Sequence, residues 1–269
     1  MSGADRQEER ENLWGYAKRL RFVRRAIADA FPKRDVGSLR VLDVGCGNGS
    51  QLALPLALAD GFQITGIDPD ERSIEHARRL AAGVLNLHFA PGRVEQLSDT
   101  ELYDVVILSE VLEHTDAPRA LLAASVARMA GDGILIVTVP NGFGEFEIDS
   151  WVFRTLRLQR IIDALARNRQ EVLGSTDNHE SGHVQFFTRR RLRRMFAQCG
   201  LNIFREAAAS LFAGPLAGIT LARSARFIEW NARVTDHLPL LLSSGWYFAL
   251  RRPSQSSAPA AEAADGAVV

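Results

Sequence analysis

The sequence is poor in cysteine, and its charges balance. Its two cysteines, Cys46 and Cys199, have neither a disulfide nor a zinc-site spacing, so we expect a protein of a reducing compartment such as the cytoplasm. Lysine and arginine together number 32, and aspartate and glutamate also number 32. A neutral chain whose basic stretches show no evident aromatic stacking platform gives no support to a polyanionic partner. We therefore expect no binding of nucleic acid.

Long apolar runs are also missing. The longest uncharged stretch, residues 207–222, is short for a membrane span and is broken by Gly214, Pro215 and Gly218. The N-terminal stretch MSGADRQEERENLW has no apolar core of the kind found in signal peptides. We expect neither a transmembrane helix nor a secretory signal. Hydrophobic residues make up 46% of the chain, which is enough for a substantial core.

Strand-like and helix-like patterns alternate from Leu39 onward. Apolar runs predict five strands, namely VLDV, QITGID, LNLHFA, YDVVILS and GILIVTVP. Such βα units predict a parallel sheet with helices on both faces. A sixth unit is predicted from a helix that begins after Thr188 and ends before Gly200, followed by the strand LNIFREA. SGWYFAL predicts a last strand.

We predict one domain over residues 1–252 and a disordered tail over 253–269. Apolar residues at helical spacing between Leu13 and Phe31 predict a cap helix within residues 1–36. Residues 141–183 are too many for a simple connection and predict a helical lid. Residues 211–242, which include Trp230 and His237, are expected to face a substrate.

Three glycines at alternate positions follow the first strand. In VLDVGCGNGS, Gly45, Gly47 and Gly49 stand where ligands bind in such sheets, at the carboxyl end of a strand. Glycine lets a ligand approach the backbone without meeting a Cβ. Asp68 ends the second strand 19 residues after Gly49, where a carboxylate can accept ribose hydroxyls. The pattern predicts a nucleoside ligand.

Two nucleoside cofactors fit this pattern, a nicotinamide dinucleotide and S-adenosylmethionine. The glycines depart from the GxGxxG spacing of dinucleotide loops, because Ser50 stands at the third place. Asp43 would repel a pyrophosphate but suits an ammonium or sulfonium group. These details favour S-adenosylmethionine. An NAD(P)-dependent oxidoreductase and a non-catalytic cofactor-binding protein stay open as alternatives.

VLDVGCGNG, Asp68 and the stretch YDVVILSEVLEH together resemble the class I S-adenosylmethionine-dependent methyltransferases, in particular the EVLEH subgroup that includes the ubiquinone-biosynthesis O-methyltransferases. The resemblance covers residues 39–205. It implies a Rossmann-like, doubly wound, seven-stranded sheet with an antiparallel last strand.

The same resemblance implies a set of cofactor-binding residues. The methionine end is expected at Asp43, Gly45 and Gly47, the ribose at Asp68, and the adenine beside Gly92, Arg93 and Val94, while Cys46, Pro69 and Ser109 complete the site. Many relatives carry an acid or a small polar residue at the place of Arg93. We therefore expect the backbone of Val94 to contact the adenine amine.

Glu110, Glu113 and His114 have the spacing of one helix face. His114 with Glu113 is a candidate base for an acceptor hydroxyl. The three together are a candidate site for a divalent metal such as Mg²⁺, as the resemblance to metal-dependent quinone O-methyltransferases implies. Alternatively, they cap the turn and line the cofactor pocket. His183, in ESGHVQFFT, is a further candidate base, unless it is merely hydrogen-bonded at the end of a loop.

The expected acceptor is small and aromatic, quinoid or lipidic, because the segments around its pocket are apolar. We expect O-methylation by in-line displacement, in which positioning supplies most of the catalysis. Residues 151–170 have the pattern of a basic amphipathic helix, which either packs on its own domain or makes a peripheral membrane contact. The basic stretches KRLRFVRR and TRRRLRRM are interpreted as solvated helix faces.

Overall fold

The computed structural model describes residues 15–142, 184–212 and 224–253. Five predictions fall wholly or partly on other residues: the start of the cap helix before residue 15, His183, the helical lid with its basic helix at 151–170, the middle of the 211–242 segment, and the tail from residue 254. They lie outside the described residues.

One sheet of seven strands forms the centre of the molecule. The strands are β1 Arg40–Val44, β2 Gln63–Asp68, β3 Leu87–Pro91, β4 Tyr103–Ser109, β5 Met129–Pro140, β6 Asn202–Ala208 and β7 Gly245–Arg251. Their order is β3-β2-β1-β4-β5-β7-β6. β1 to β5 pair in parallel, whereas β7 is antiparallel to both β5 and β6. The predicted doubly wound sheet with an antiparallel last strand is confirmed.

Helices flank this sheet. They are α1 Tyr16–Ala30, α2 Ala53–Pro55 with its π-helical continuation Leu56–Asp60, α3 Glu71–Leu80, α4 Pro118–Ala127, α5 Arg189–Gln198 and α6 Ala225–Val234. The Thr188 side chain accepts a hydrogen bond from Arg191 N and so caps α5. Gly200, with φ of 69°, follows the end of that helix.

Alternate residues of each central strand point into two separate cores. Val41 and Ile107 belong to the core shared with α1, α2 and α3, whereas Leu42 and Leu108 belong to the core shared with α4 and α5. This period of two is a consequence of the pleated backbone. Because the central strands are buried on both faces, their sequences are continuous apolar runs.

The two basic stretches differ in the structure. Arg190 and Arg194 of α5 are exposed, as predicted. The prediction is wrong for Lys18 and Arg19 of α1, which are 8% and 6% exposed. Both side chains find polar partners inside the molecule, as described below. Within the described ranges, none of the helices has the combined length and apolarity that a membrane crossing requires.

Gly66 of β2 lies against the ring of Phe89, and this contact is testable. A Cβ at Gly66 would stand 2.5 Å from Phe89 Cε1 and 2.9 Å from Cys46 Sγ. Because overpacking a buried site costs about 1–3 kcal/mol, we expect Gly66→Ala to lower the free energy of unfolding by that amount. Gly131→Ala is the control, since a Cβ there meets no atom within 4 Å. Chemical denaturation measures the free energy of unfolding of both variants, and equal values for the two would contradict this packing.

Candidate functional site

The loop after β1 holds three glycines in the left-handed region, with φ of 70° at Gly45, 54° at Gly47 and 72° at Gly49. They are required for different reasons. A Cβ at Gly45 would stand 2.7 Å from Val111 Cγ2, and one at Gly49 would stand 2.3 Å from Phe89 Cζ. At Gly47 a Cβ would meet nothing within 4 Å. Gly47 is therefore the point at which this loop offers bare backbone to a ligand.

The end of β2 holds this loop in place. Gly45 N and Cys46 N both donate to Ile67 O, at 2.7 and 3.0 Å. Gly47 N donates to Asp68 Oδ2 at 2.9 Å, and Asp70 N donates to Asp68 Oδ1 at 2.9 Å. The Asp68 carboxylate thereby connects the loop after β1 with the end of β2. Each of its oxygens keeps a further lone pair with which it can accept a hydrogen bond from a ligand.

Asp43 lies beneath the loop as a second buried acid, only 4% exposed. Burial and the nearby Asp68 carboxylate raise the pKa of Asp43 to about 7, while Arg19 acts in the opposite direction. A positive charge nearby would favour the ionised form of this carboxyl. The two acids therefore make the loop suited to a ligand that carries a cationic group.

Arg19 reaches the same strand ends from α1. Its Nη1 donates to Ser109 Oγ at 3.2 Å and to Gln51 Oε1 at 3.3 Å, and its Nη2 lies 3.5 Å from Glu110 Oε1. Burial lowers the pKa of Arg19, but Glu110 and the neighbouring tyrosines raise it, so that the guanidinium stays charged. Its Nε is buried and has no hydrogen-bond partner within the described part of the chain.

Arg19 is not among the site residues predicted from the sequence, although its spacing indicates a buried position. Arg19, Phe22, Val23 and Ala26 follow the i, i+3, i+4, i+7 rule, and all four are buried. An arginine within an apolar stripe is a residue that needs internal partners. Arg19 finds them at the carboxyl ends of β4 and of the glycine loop.

Glu110 has a strained backbone, with φ of 56°, and is the one non-glycine residue with positive φ among those described. Its N–H donates to Thr138 O at 3.0 Å, and Thr138 Oγ1 donates to Glu110 Oε1 at 2.7 Å. Such a conformation costs on the order of 1–3 kcal/mol and persists where its surroundings hold it, often at functional sites. Thr138 and Arg19 supply these surroundings.

The predicted grouping of Glu110, Glu113 and His114 into a metal site is corrected by the structure. Residues Leu112–His114 form a 3-10 turn, so the three side chains do not share one face of an α-helix. The Glu110 carboxylate contacts Thr138 and Arg19 instead. Across residues 15–142, 184–212 and 224–253, no three His, Cys, Asp or Glu side chains are arranged to hold a metal ion.

Glu113 and His114 are neighbours with very different exposure. Glu113 is 0% exposed, and neither carboxyl oxygen has a hydrogen-bond partner among the described residues. Burial and then Glu110 raise the pKa of Glu113 well above its usual value. Its Oε1 lies 3.9 Å from Nε2 of His114, whose side chain is 33% exposed. Among the described residues, the His114 side chain is thus accessible from outside, whereas the Glu113 side chain is not.

The residues expected beside an adenine lie at the end of β3, next to Asp68. Gly92 N donates to Asp68 O at 3.0 Å, which joins this turn to the end of β2. The Val94 side chain is buried in the core, whereas Arg93 is exposed and its N–H donates to Gln96 Oε1 at 2.8 Å. The structure thus brings these predicted residues to the glycine loop. Their contact with a ligand stays a prediction.

Residues 14–206 match the family model described as Methyltransferase domain. The ubiquinone biosynthesis O-methyltransferase of Rickettsia canadensis (strain McKiel) is 35% identical over 124 residues, which are 46% of this chain and 51% of that protein. The protein of the same name from Rickettsia typhi (strain ATCC VR-144 / Wilmington) is 37% identical over 108 residues, 40% and 43% of the two chains. The matched stretch spans about half the length of these relatives.

Solved structures share the fold at low sequence identity. Magnesium protoporphyrin IX methyltransferase from Synechocystis PCC 6803 with bound SAH has a TM-score of 0.52 and 17% identity, with 87% of this chain and 83% of that chain covered. The [4+2]-cyclase SpnF has a TM-score of 0.54 and 16% identity, with 88% and 81% covered. A methyltransferase and a cyclase share this architecture, so the fold alone does not decide the reaction.

The raised pKa of Asp43 predicts a pH dependence of stability. The folded protein holds this proton up to about pH 7, whereas the unfolded chain releases it near the usual value of 3.8. The contribution of Asp43 to the free energy of unfolding is thus fully present below pH 3.8 and is lost as the pH rises to about 7. The full shift corresponds to a loss on the order of 4 kcal/mol.

Asp43→Asn should remove this dependence. We expect the ligand-free variant to be more stable than the wild type above pH 7, and chemical denaturation between pH 4 and 8 measures the difference. If the free energy of unfolding changed with pH in the same way for both proteins, the raised pKa of Asp43 would be contradicted.

Proposed function

The chain belongs to the family of proteins with a Methyltransferase domain, and we propose that it transfers a methyl group from S-adenosylmethionine to an oxygen of a small aromatic, quinoid or lipidic acceptor. The observation that carries this proposal is the open backbone of Gly47 between two buried carboxylates, Asp43 and Asp68. The name of the Rickettsia relatives, ubiquinone biosynthesis O-methyltransferase, supports oxygen as the acceptor atom and a quinoid acceptor. Family membership disfavours the nicotinamide-dependent oxidoreductase.

The residues at the strand ends suit S-adenosylmethionine. Asp68 retains acceptor capacity for the two ribose hydroxyls. Asp43 favours the cationic ammonium of the methionine end. Arg19 is a charged guanidinium whose buried Nε has no hydrogen-bond partner among the described residues, and we assign it to the methionine carboxylate. A pyrophosphate would instead meet two carboxylates.

S-adenosylmethionine supplies a methyl group on a positively charged sulfur, which an acceptor oxygen displaces in line. The main task of the protein is to hold the two reactants in line, which contributes about 7–11 kcal/mol in well-oriented systems. Rigid groups perform this task here. Asp43 and Asp68 are fixed at the ends of paired strands, and Arg19 is fixed by Ser109, Gln51 and Glu110.

We assign removal of the acceptor proton to His114. It is the exposed member of the Glu113–His114 pair and follows β4 in the turn that packs against Gly45 through Val111. A positioned base contributes about 10²–10⁴-fold to such a step. Glu113 is assigned a supporting place beside the imidazole, because it is fully buried. His183 stays the second candidate base.

The cofactor assignment is tested by calorimetric titration with S-adenosylhomocysteine. We expect the wild type to bind and Asp68→Asn to bind at least about tenfold more weakly, because hydrogen bonds to a charged group are worth about 1.5–3 kcal/mol. Asp132→Asn, an exposed acid at the start of β5, is the matched control and should bind like the wild type. Binding of NADH without binding of S-adenosylhomocysteine would refute the assignment.

The acceptor assignment is tested with labelled S-adenosylmethionine and a panel of catechols and hydroquinones with short and long tails. His114→Gln should lower kcat about 10²–10⁴-fold while the affinity for S-adenosylhomocysteine is unchanged, since a base acts after binding. His88→Gln, an exposed histidine on β3, is the control. Full activity of His114→Gln would exclude this base, and binding without transfer to any acceptor would favour a non-catalytic protein.

A further inference from the structure

Lys18 is a buried lysine whose ammonium joins three segments of the chain. It is 8% exposed. Its Nζ donates to Ala232 O at 2.7 Å, to Thr235 Oγ1 at 2.8 Å and to Ala209 O at 3.2 Å. It also forms an ion pair with Asp236 Oδ1 at 2.7 Å. The side chain therefore connects α1 with the residue after β6 and with the C-terminal end of α6.

The chemistry of this place favours an ammonium group. Ala232 O belongs to the last turn of α6, where carbonyl groups lack donors within the helix and the helix dipole is negative. Ala232 and Thr235 are 4% and 2% exposed, so water is a poor substitute for Lys18. The Thr235 hydroxyl also lies 2.8 Å from Ala209 O and 2.9 Å from Ala232 O, but its single hydrogen can serve one of them, so an uncharged side chain at Lys18 would leave the other without this donor.

Lys18 and Arg19 are consecutive residues of α1 that point to two different places. Arg19 contacts Ser109 and Glu110 at the candidate cofactor site, while Lys18 contacts the end of α6. The start of the same helix is held by β7, because Tyr247 OH donates to Gly15 O at 3.4 Å. Because the two residues share one turn of α1, a shift of the helix at Lys18 also shifts Arg19.

We infer that Lys18 is a positioning residue that acts through Arg19. By holding α1 against the end of α6, it sets the guanidinium at the cofactor site and ties the expected substrate-side segment to that site. This inference rests on the proposed function, because it takes Arg19 to contact the methionine carboxylate. Lys18 acts through its neighbours and is not assigned a contact with either reactant.

The test compares Lys18→Met with the wild type by calorimetric titration with S-adenosylhomocysteine, at a temperature where circular dichroism shows both folded. We expect the dissociation constant to rise about tenfold, which corresponds to ~1.4 kcal/mol. Lys18→Arg, which keeps a buried cation, should restore most of the affinity. Arg25→Met is the matched control, because Arg25 is exposed on the same helix, and should leave the affinity unchanged.

A double-mutant cycle separates positioning from a purely structural role. If Lys18 acts through Arg19, Lys18→Met should weaken binding in the wild type but add little in an Arg19→Met background. Additive losses would overturn the inference. A Lys18→Met protein that melts at a lower temperature but binds with wild-type affinity would also overturn it, because Lys18 would then be merely structural.

Two further outcomes are distinguishable. If the wild type does not bind S-adenosylhomocysteine, the proposed function is refuted. If the wild type and Lys18→Met bind it with the same dissociation constant, only the role of Lys18 is refuted. Should Lys18→Met not fold, Asp236→Asn loosens the same contact from its exposed side, where the Asp236 side chain is 56% exposed. We then expect the dissociation constant for S-adenosylhomocysteine to rise about twofold to fivefold. An unchanged dissociation constant would count against the inference.

Discussion

The structure of the site depends on the burial of two carboxyl groups at adjacent strand ends. Asp43 lies near the end of β1 and Asp68 ends the neighbouring β2, and they are 4% and 5% exposed. Asp68 is stabilised by the N–H groups of Gly47 and Asp70, whereas the pKa of Asp43 rises to about 7. Burying two acids together costs free energy unless cations or donors offset it. A cationic ligand would supply part of that compensation, and Arg19 supplies another part.

This constraint explains why the N-terminal helix is part of the site. α1 carries Arg19 to the strand ends and Lys18 to the end of α6, so one turn of helix supports both the glycine loop and the substrate-side segment. The apolar stripe of α1 that includes Phe22 and Val23 packs on the sheet, and Lys18 adds a polar contact with the end of α6. Truncation or displacement of α1 would therefore affect the candidate cofactor site directly.

The loops after β1 and β4 are also interdependent. Val111 occupies the space that a side chain at Gly45 would need, and Glu110 keeps a left-handed backbone through its contacts with Thr138 and Arg19. Of these three glycines, Gly47 alone has open space before it in the described part of the chain. Two of the three glycines thus serve close packing, and the third leaves its backbone open. The alternation GxGxG does not distinguish these uses, because the atoms opposite Gly45 and Gly49 belong to Val111 and Phe89, which are distant in sequence.

The sequence by itself determined the strands, the helices between them, the glycine loop and the acid at the end of β2. These features follow from periodicity and from neighbours close along the chain, which is why the sheet and the position of Asp68 were predicted correctly. The matches to the Methyltransferase domain model bear out the resemblance seen in VLDVGCGNG. Tertiary structure alone decided the burial of Lys18 and Glu113, the polar partners of Arg19, and the separation of the expected metal ligands. Those outcomes depend on partners distant in sequence, such as Ser109, Thr138 and Thr235, which local patterns cannot locate.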